Sequence, residues 1–321
     1  MTDHPVRNAQ AEASAVAGRP ALVLEPSPPA VPDEPWFADD PADATGHGEA
    51  IVGPTTAASP TWSQLSAESA TIAEFARDHW LGNFKTLPPV PPDYVSSRND
   101  FHRVAYGVLS NTRKAANGKI GLRYTRRGFG TPFFGDDEQI RVEGNQLVVQ
   151  RGGSAISEQL TTLARAASVA GTVASPEQAE HDTVELGDTE RVLDVREDVG
   201  LFLGDWFGFA TAVLEQTRLI AAVEDDVTRV QIWPGHFDPA IEMGSAEAGQ
   251  RATYGASPGD QSHPEPYLYV AAWDDLDTSH MHWNSEHFSG ALLSYEKLCS
   301  RTDQHELALD FFRVGYELLR Q

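Results

Sequence analysis

Hydrophobic residues recur at helical spacing in six segments of the chain. Apolar positions three or four residues apart form one stripe on a helix surface, so this spacing predicts amphipathic helices. Gly118 and Gly171 supply helix stops, and Asp303 with Glu306 is a capping signature for the last helix. The predicted helices span residues 66–80, 96–117, 162–171, 202–213, 288–299 and 303–318.

Alternating apolar and polar residues predict strands between these helices. Residues 139–143 and 146–149 alternate on either side of a Gly-Asn pair, which is typical of a β-hairpin. Further strands are predicted over residues 119–126, 229–233 and 266–273. The order helix, strand, loop, strand, helix therefore occurs twice. The sequence predicts an α+β fold of two α/β halves with mostly antiparallel strands and amphipathic helices.

The first part of the chain differs from the rest in composition. Residues 1–60 contain ten of the 21 prolines and nine acidic residues, with few aromatic side chains. Such a segment buries too little apolar surface to offset the entropy lost on ordering. We therefore expect a disordered acidic tail over residues 1–60 and a globular domain over residues 61–321. Its two halves are expected at residues 61–171 and 196–321, joined by a polar acidic connector.

Composition also narrows the class of protein. The 321-residue chain has a formal net charge of −23, which disfavours nucleic acid as a partner because phosphate binding relies on lysine and arginine. Its single cysteine, Cys299, excludes a disulfide framework and favours a reducing compartment. No apolar run reaches the roughly 20 residues that cross a bilayer, and the first residues lack a signal-peptide pattern. We expect a cytoplasmic protein that binds neither membrane nor nucleic acid.

The densest group of polar and aromatic residues lies within residues 233–273. His236 and Asp238 are two positions apart, so on a continuous strand they share a face, where an aspartate can orient a histidine acting as general acid or base. Pro234 and Gly235 indicate that the chain turns at this point instead. The alternative interpretation is that both side chains bond loop backbone while the neighbouring tryptophans belong to the core.

Residues 255–259 match the G-x-S-x-G pattern of serine hydrolases. In that motif the residue after the serine donates its backbone N–H to the oxyanion and begins a helix. Pro258 has no N–H, and the following residues favour loop and strand. We therefore expect no serine nucleophile at Ser257.

A histidine-rich segment suggests a metal site as an alternative. His280 and His282 could act together with Glu286 or His287 as zinc ligands. The spacing matches no specific metal signature, and Ser285 is expected to cap the following helix, which would place Glu286 and His287 on its surface. A metal-dependent hydrolase that uses this segment remains an alternative, and the preferred interpretation assigns no metal.

The segment 101–135 is basic within an acidic chain, since it contains no aspartate or glutamate. Such a segment can bind an anionic ligand or an acidic segment of the same protein. Arg126 and Arg127 precede Gly128 and Gly130, and glycines allow a ligand to approach the backbone. The alternative is that the basic side chains form surface ion pairs with nearby carboxylates.

Four motifs carry a resemblance to a known family. They are residues 128–132, 233–238, 257–260 and 264–270, and together they resemble a family of uncharacterised actinobacterial proteins over roughly residues 75–320. The later motifs are also distantly similar to a second domain family of unknown function. The resemblance implies a bacterial origin and implies no reaction.

These features predict a small-molecule site for an anionic ligand between the two halves, because domain junctions often form ligand clefts. In an enzyme, His236 is the expected acid or base, with Asp238 or Asp260 orienting it. The expected ligand-binding residues are Arg126, Arg127, Trp233, Glu265 and Tyr267. A competing hypothesis is a non-enzymatic interaction protein that uses its acidic tail. The sequence identifies no cofactor and no oligomeric state.

Overall fold

The computed structural model describes residues 86–321, except residues 126, 133, 135–137, 152–153, 176–183 and 219. The predicted tail over residues 1–60 and the predicted helix over residues 66–80 lie outside the described residues. In the described part, none of the helices is long and apolar enough to cross a membrane.

In the first half, helices come before and after a five-stranded antiparallel meander along the chain. Helix α1 (Tyr94–Val104) continues through a π-helical segment (Ala105–Ser110) into α2 (Asn111–Asn117), and Gly118 ends this helical run with φ +78°. Helix α3 (Leu163–Ala170) closes the half. The strands between them are β1 (Arg123–Thr125), β2 (Gly128–Gly130), β3 (Glu138–Glu143), β4 (Gln146–Arg151) and β5 (Ser154–Gln159), in that order across the sheet.

The second half repeats this arrangement. It begins with the long helix α4 (Glu197–Arg218) and ends with α5 (Tyr295–Cys299) and α6 (Gln304–Leu319). Its antiparallel strands follow sequence order across the sheet: β6 (Gln231–Trp233), β7 (Asp238–Met243), β8 (Ala252–Ser257), β9 (Tyr267–Ala272) and β10 (Gly290–Ser294). The predicted α+β class with antiparallel strands is confirmed.

The two sheets meet at their first strands. Leu122 and Ile232 form an antiparallel bridge in which each backbone N–H donates to the other carbonyl at 2.9 Å. Helix α4 packs against strands of both sheets and against α1 and α6, so it forms the centre of the core. Gly200 and Gly204 allow this close packing, because a Cβ atom at either position would overlap the backbone of Gly144 or Gly128.

Three features differ from the sequence-based prediction. Each sheet has five strands, whereas three are predicted in the first half and two in the second, because a strand as short as β2 gives too few residues for an alternation to stand out. The helix predicted over residues 288–299 is wrong in its first part, where β10 pairs with β9 and only α5 is helical. The last helix begins as predicted, but the Asp303 side chain makes no capping bond and pairs with Arg301 at 2.6 Å instead.

Candidate functional site

A cavity of about 950 Å³ lies over the face of the second sheet that points away from the core. Strands β7, β8 and β9 supply its floor through residues that alternate with core residues such as Ile241 and Tyr254. Lys114, Gly118 and Ile120, at the end of α2 and just beyond it, supply part of the wall. The cavity therefore lies at the junction of the two halves, where the sequence-based hypothesis places a ligand site.

The structure brings together five of the predicted site residues. These residues line this one cavity: Trp233, His236, Asp238, Asp260 and Tyr267. They come from the β6–β7 turn, from the start of β7, from the loop after β8 and from the start of β9. These five side chains share one cavity, and their role in ligand binding or catalysis stays a prediction.

The β6–β7 turn explains why His236 and Asp238 face the same space. The chain turns at Pro234 and Gly235, as their residue types indicate, and Trp233 pairs with Asp238 across the turn. Phe237 takes a left-handed conformation (φ +60°) and is fully buried. This anchor leaves His236 exposed at the rim of the cavity and returns the chain to the sheet at Asp238.

The side chain of His102 packs against this turn and hydrogen-bonds to it. Its Nε2 lies 2.7 Å from the Pro234 carbonyl oxygen, and its ring stacks on Phe237 at 5.2 Å. Since a carbonyl only accepts hydrogen bonds, Nε2 carries the proton. Burial lowers the pKa of His102 to about 4. A neutral histidine of α1 in the first half thus fixes a turn of the second half.

Asp238 lies on the floor of the cavity and is only 3% exposed. The hydroxyl of Tyr269 on β9 donates a short hydrogen bond to its Oδ2. To reach β7 from β9, the Tyr269 ring crosses β8 at Gly255, the residue that pairs with it. A Cβ atom at Gly255 would lie 2.6 Å from Cε1 of the ring, so only glycine leaves room for this arrangement.

A second tyrosine–carboxylate pair lies at the end of the cavity. Tyr267 donates to Asp260 Oδ2 at 2.6 Å, and the backbone amides of Ser262 and His263 donate to Oδ1 at 2.6 and 2.8 Å. Burial alone would raise the pKa of Asp260, but these hydrogen bonds outweigh it and the pKa lies below its usual value. The Asp260 carboxyl is therefore ionised at neutral pH.

Burial also raises the pKa values of Tyr267 and Tyr269, and their carboxylate partners add to the effect. Both hydroxyls therefore stay protonated and serve as donors to Asp260 and Asp238. Because Tyr267 and Tyr269 are two positions apart on β9, they project to the same face, and their ring centres are 6.1 Å apart.

Arg98 supports the loop that carries Asp260. This buried side chain of α1 is close to Pro258, whose carbonyl oxygen accepts from Arg98 Nη1 at 3.5 Å and from Tyr94 Oη at 2.6 Å. Gly259 has φ +99°, a conformation that favours glycine, and a Cβ there would lie 2.8 Å from the guanidinium. The first half thus fixes the position of a loop in the second half.

The other end of the cavity contains Glu242 of β7 and Thr253 of β8. Arg251 pairs with Glu242 Oε2 at 2.9 Å, and its guanidinium lies 5.0 Å from the ring centre of Trp273. The Trp273 indole donates to the Thr253 hydroxyl at 3.1 Å. This end therefore combines a carboxylate with an exposed indole ring.

Three predicted ligand-binding residues lie elsewhere or outside the described part. Arg127 is exposed, and its guanidinium lies 3.8 Å from the Glu197 carboxylate. Neither residue lines the cavity. Glu265 lines a separate, shallower cavity beside the start of α1. Arg126 lies outside the described residues. Arg127 and Glu265 therefore do not line the main cavity, because sequence proximity to a motif does not determine which face a side chain occupies, and their role in ligand binding stays a prediction.

The basic segment 101–135 is largely built into the fold. Arg103, Arg113 and Arg123 are buried, and Arg103 donates to the Leu186 carbonyl and to Asp100. Gly130 faces the buried side chain of Arg141, because a Cβ at Gly130 would lie 2.5 Å from the Arg141 Cβ. The glycines of this segment thus accommodate packing within the protein.

The histidine-rich segment does not form a metal site with other side chains. In the part of the chain that the structure describes, no three histidine, cysteine, aspartate or glutamate side chains come together as metal ligands. His282 packs on Phe311 of α6 at 5.1 Å, and its backbone N–H donates to His280 Nδ1. Ser285 accepts from the amides of His287 and Phe288, so it caps a turn rather than the predicted helix.

Ser257, the serine of the G-x-S-x-G match, ends β8 and is followed by a loop, not by a helix. Its hydroxyl accepts from the backbone N–H of Gly259 at 3.0 Å. This geometry agrees with the expectation that the match is not a nucleophile motif.

Sequence reasoning missed several residues that shape the cavity: Arg98, His102, Glu242, Gly255 and Tyr269. Tyr269 could have been identified from the sequence, because it follows Tyr267 at a two-residue interval within a predicted strand. The others depend on strand pairing or on contacts between the two halves, for which the sequence offers no local signal.

Comparison of the chain with protein-family models, with curated proteins and with solved structures gives no match. The resemblance to uncharacterised actinobacterial proteins therefore stays a prediction.

Proposed function

We propose that this protein binds a small organic cation in the cavity between its halves. The observation that carries the proposal is Asp238, a nearly buried carboxylate at the floor of a cavity whose lining includes four tryptophan, tyrosine and phenylalanine rings. Buried carboxylates require compensating donors or positive charge. Tyr269 supplies one donor and Asp238 has a further interaction within the protein, while a ligand ammonium group would add positive charge beside the carboxylates of the cavity.

The charges along the cavity have the sign that such a ligand needs. Among its described lining residues, Asp238, Glu242 and Asp260 are acidic and Lys114 is the one lysine or arginine. At about 4 Å and an effective dielectric constant of about 20, an ammonium and a carboxylate attract by about 4 kcal/mol before desolvation is counted. The aromatic walls add favourable contact, since ring faces attract cations and bury methylene groups.

The proposed ligand is a cation, whereas the sequence-based hypothesis expects an anion. That hypothesis depends on Arg126 and Arg127. Arg127 forms an ion pair with Glu197, and Arg126 is outside the described residues. A carboxylate or phosphate in this cavity would face Asp238 and Asp260 at close range. Repulsion between like charges therefore favours a cation over an anion.

The proposal makes the protein a binding protein, with no reaction assigned to it. His236 is at the exposed rim, where it can contact a bound ligand. The competing hypothesis of an interaction protein that uses residues 1–60 concerns a segment outside the described residues, and deletion of that segment separates the two hypotheses.

Isothermal titration calorimetry with two ligands of equal length and opposite charge tests the proposal. Octylamine is expected to bind and octanoate is not. Asp238→Asn should weaken octylamine binding by at least about tenfold, the loss that corresponds to about 1.4 kcal/mol. Asp310→Asn is the matched control, because Asp310 is on the outer surface of α6, which packs on the opposite face of the sheet.

Circular dichroism of Asp238→Asn establishes that the variant is folded before the titrations are compared. Tighter binding of octanoate than of octylamine would restore the anionic-ligand hypothesis. If neither compound binds, or if the two aspartate variants weaken octylamine binding equally, the proposed function is wrong.

A further inference from the structure

The cavity is a trough that runs along strands β8 and β9. Ser257 and Tyr267 are at one end, and Thr253 and Ala271 are at the other. Four residue steps along a strand span about 13 Å, and three strands span about 10 Å across. The longer dimension of the trough therefore follows the strands.

Each end of the trough carries a carboxylate. Asp238 and Glu242 are four positions apart on β7, so both side chains project to the cavity face, about 13 Å apart along the strand. Asp260 adds a further negative charge beside Asp238 at the Tyr267 end.

The middle of the trough is aromatic. Ala240 of β7, Gly255 of β8 and Tyr269 of β9 form one cross-strand row, in which the Tyr269 ring lies over Gly255 and lines the cavity together with Trp233 and Phe288. The Tyr269 hydroxyl is already engaged by Asp238, so the ring presents carbon atoms to this space. Such a surface suits a chain of methylene groups.

The Glu242 end can still take up a cation although Arg251 is bound there. Arg251 pairs with Oε2 of Glu242, and the guanidinium also donates to the carbonyl oxygens of Asp226 and Gly244. The same guanidinium lies 3.5 Å from the carboxylate of Asp226, so one positive charge faces two carboxylates. Trp273, 55% exposed, packs against this guanidinium and donates to Thr253 at this end of the trough.

We propose that the ligand is a linear aliphatic polycation with one ammonium group near Asp238 and a second near Glu242. This inference rests on the proposed cation site. The spacing of the two carboxylates and the apolar row between them define this class. A compact cation, or a chain with a single charged end, would occupy only one of the two acidic ends.

Calorimetric titration with diaminooctane and octylamine tests this inference, because the two probes have the same chain and differ in the second ammonium group. Diaminooctane is expected to bind at least about tenfold more tightly than octylamine, the gain from one additional partly buried charge-assisted hydrogen bond. Diaminobutane, which is too short to reach both ends, should show no such gain.

Two variants locate the second ammonium group. Glu242→Gln should remove the advantage of diaminooctane, so that the two amines bind this variant with affinities within about twofold of each other. Ala271→Lys places a competing ammonium at the same end of the trough and should have the same effect without removing the partner of Arg251, which keeps the test valid if Glu242→Gln unfolds.

The outcomes separate this inference from the proposed function. Equal affinities for diaminooctane and octylamine, or an advantage that persists in both variants, would overturn the two-ended ligand and leave the cation site in place. Absence of binding by either amine would overturn both.

Discussion

Replacing Gly255 with alanine places a methyl group where the Tyr269 ring crosses β8. The new Cβ would lie 2.6 Å from Cε1 of the ring, whereas ordinary carbon contacts are about 3.5–4.0 Å. The ring must therefore move by about 1 Å or more. The backbone of Gly255 is not left-handed, so alanine causes no conformational strain of its own.

The cost follows from the hydrogen bond that the displaced ring loses. Tyr269 donates to the nearly buried carboxylate of Asp238, and a hydrogen bond to a charged group contributes about 1.5–3 kcal/mol. Alanine in a strand is itself favoured over glycine by about 0.5–1 kcal/mol. Gly255→Ala should therefore lower the free energy of unfolding by about 1–2 kcal/mol net.

A double-mutant cycle measured by urea denaturation isolates this contact. In the Tyr269→Ala background the ring is absent, so Gly255→Ala should be neutral or stabilise the fold by up to about 1 kcal/mol. The coupling energy between the two positions is then about 1.5–3 kcal/mol. If Gly255→Ala costs the same with and without the Tyr269 ring, the account of how Tyr269 reaches Asp238 is wrong.

Three further predictions concern pH, the acidic segment and the rim histidine. Because burial keeps His102 neutral with a pKa of about 4, its contribution to stability is complete above the unfolded pKa of about 6.5 and is lost as the pH falls toward 4. Between about pH 7 and pH 5 the part of the loss due to His102 is about 2 kcal/mol, and urea denaturation should show the pH dependence of His102→Gln to be smaller than that of the unchanged protein by this amount. Deletion of residues 1–60 should leave octylamine affinity unchanged in calorimetry, and a large loss would favour the tail-based interaction protein. His236→Ala should leave the melting temperature unchanged and alter octylamine affinity by less than about twofold, since exposed rim groups contribute little; abolished binding would make His236 essential.

The sequence predicted those features of the fold that depend on local signals. Gly118 and Gly171 end helices with positive φ, and the Gly144-Asn145 turn joins two strands in the register that the alternation predicts. The segment 288–299 shows the limit of this reasoning. Phe288, Leu292 and Tyr295 have helical spacing, yet pairing with β9 makes residues 290–294 a strand, a tertiary effect that periodicity does not contain.

The candidate site was predictable in its position but not in its charge. The density of polar and aromatic residues around Trp233 and Tyr267 indicated where the cavity lies. The charge expected of the ligand depends on where Arg127 and Glu242 lie. The Arg127 side chain pairs with Glu197, whereas strand pairing brings Glu242 to the cavity. Which basic and acidic groups share a face is decided by sheet register, and a short strand such as β2 gives no local signal of it.

A crystal structure of the protein soaked with diaminooctane tests the central claim most directly. The account expects continuous ligand density along β8 and β9, with one terminal nitrogen within hydrogen-bond distance of Asp238 and the other near Glu242. An empty trough at a ligand concentration that saturates binding in solution, or a ligand bound elsewhere on the protein, would contradict it.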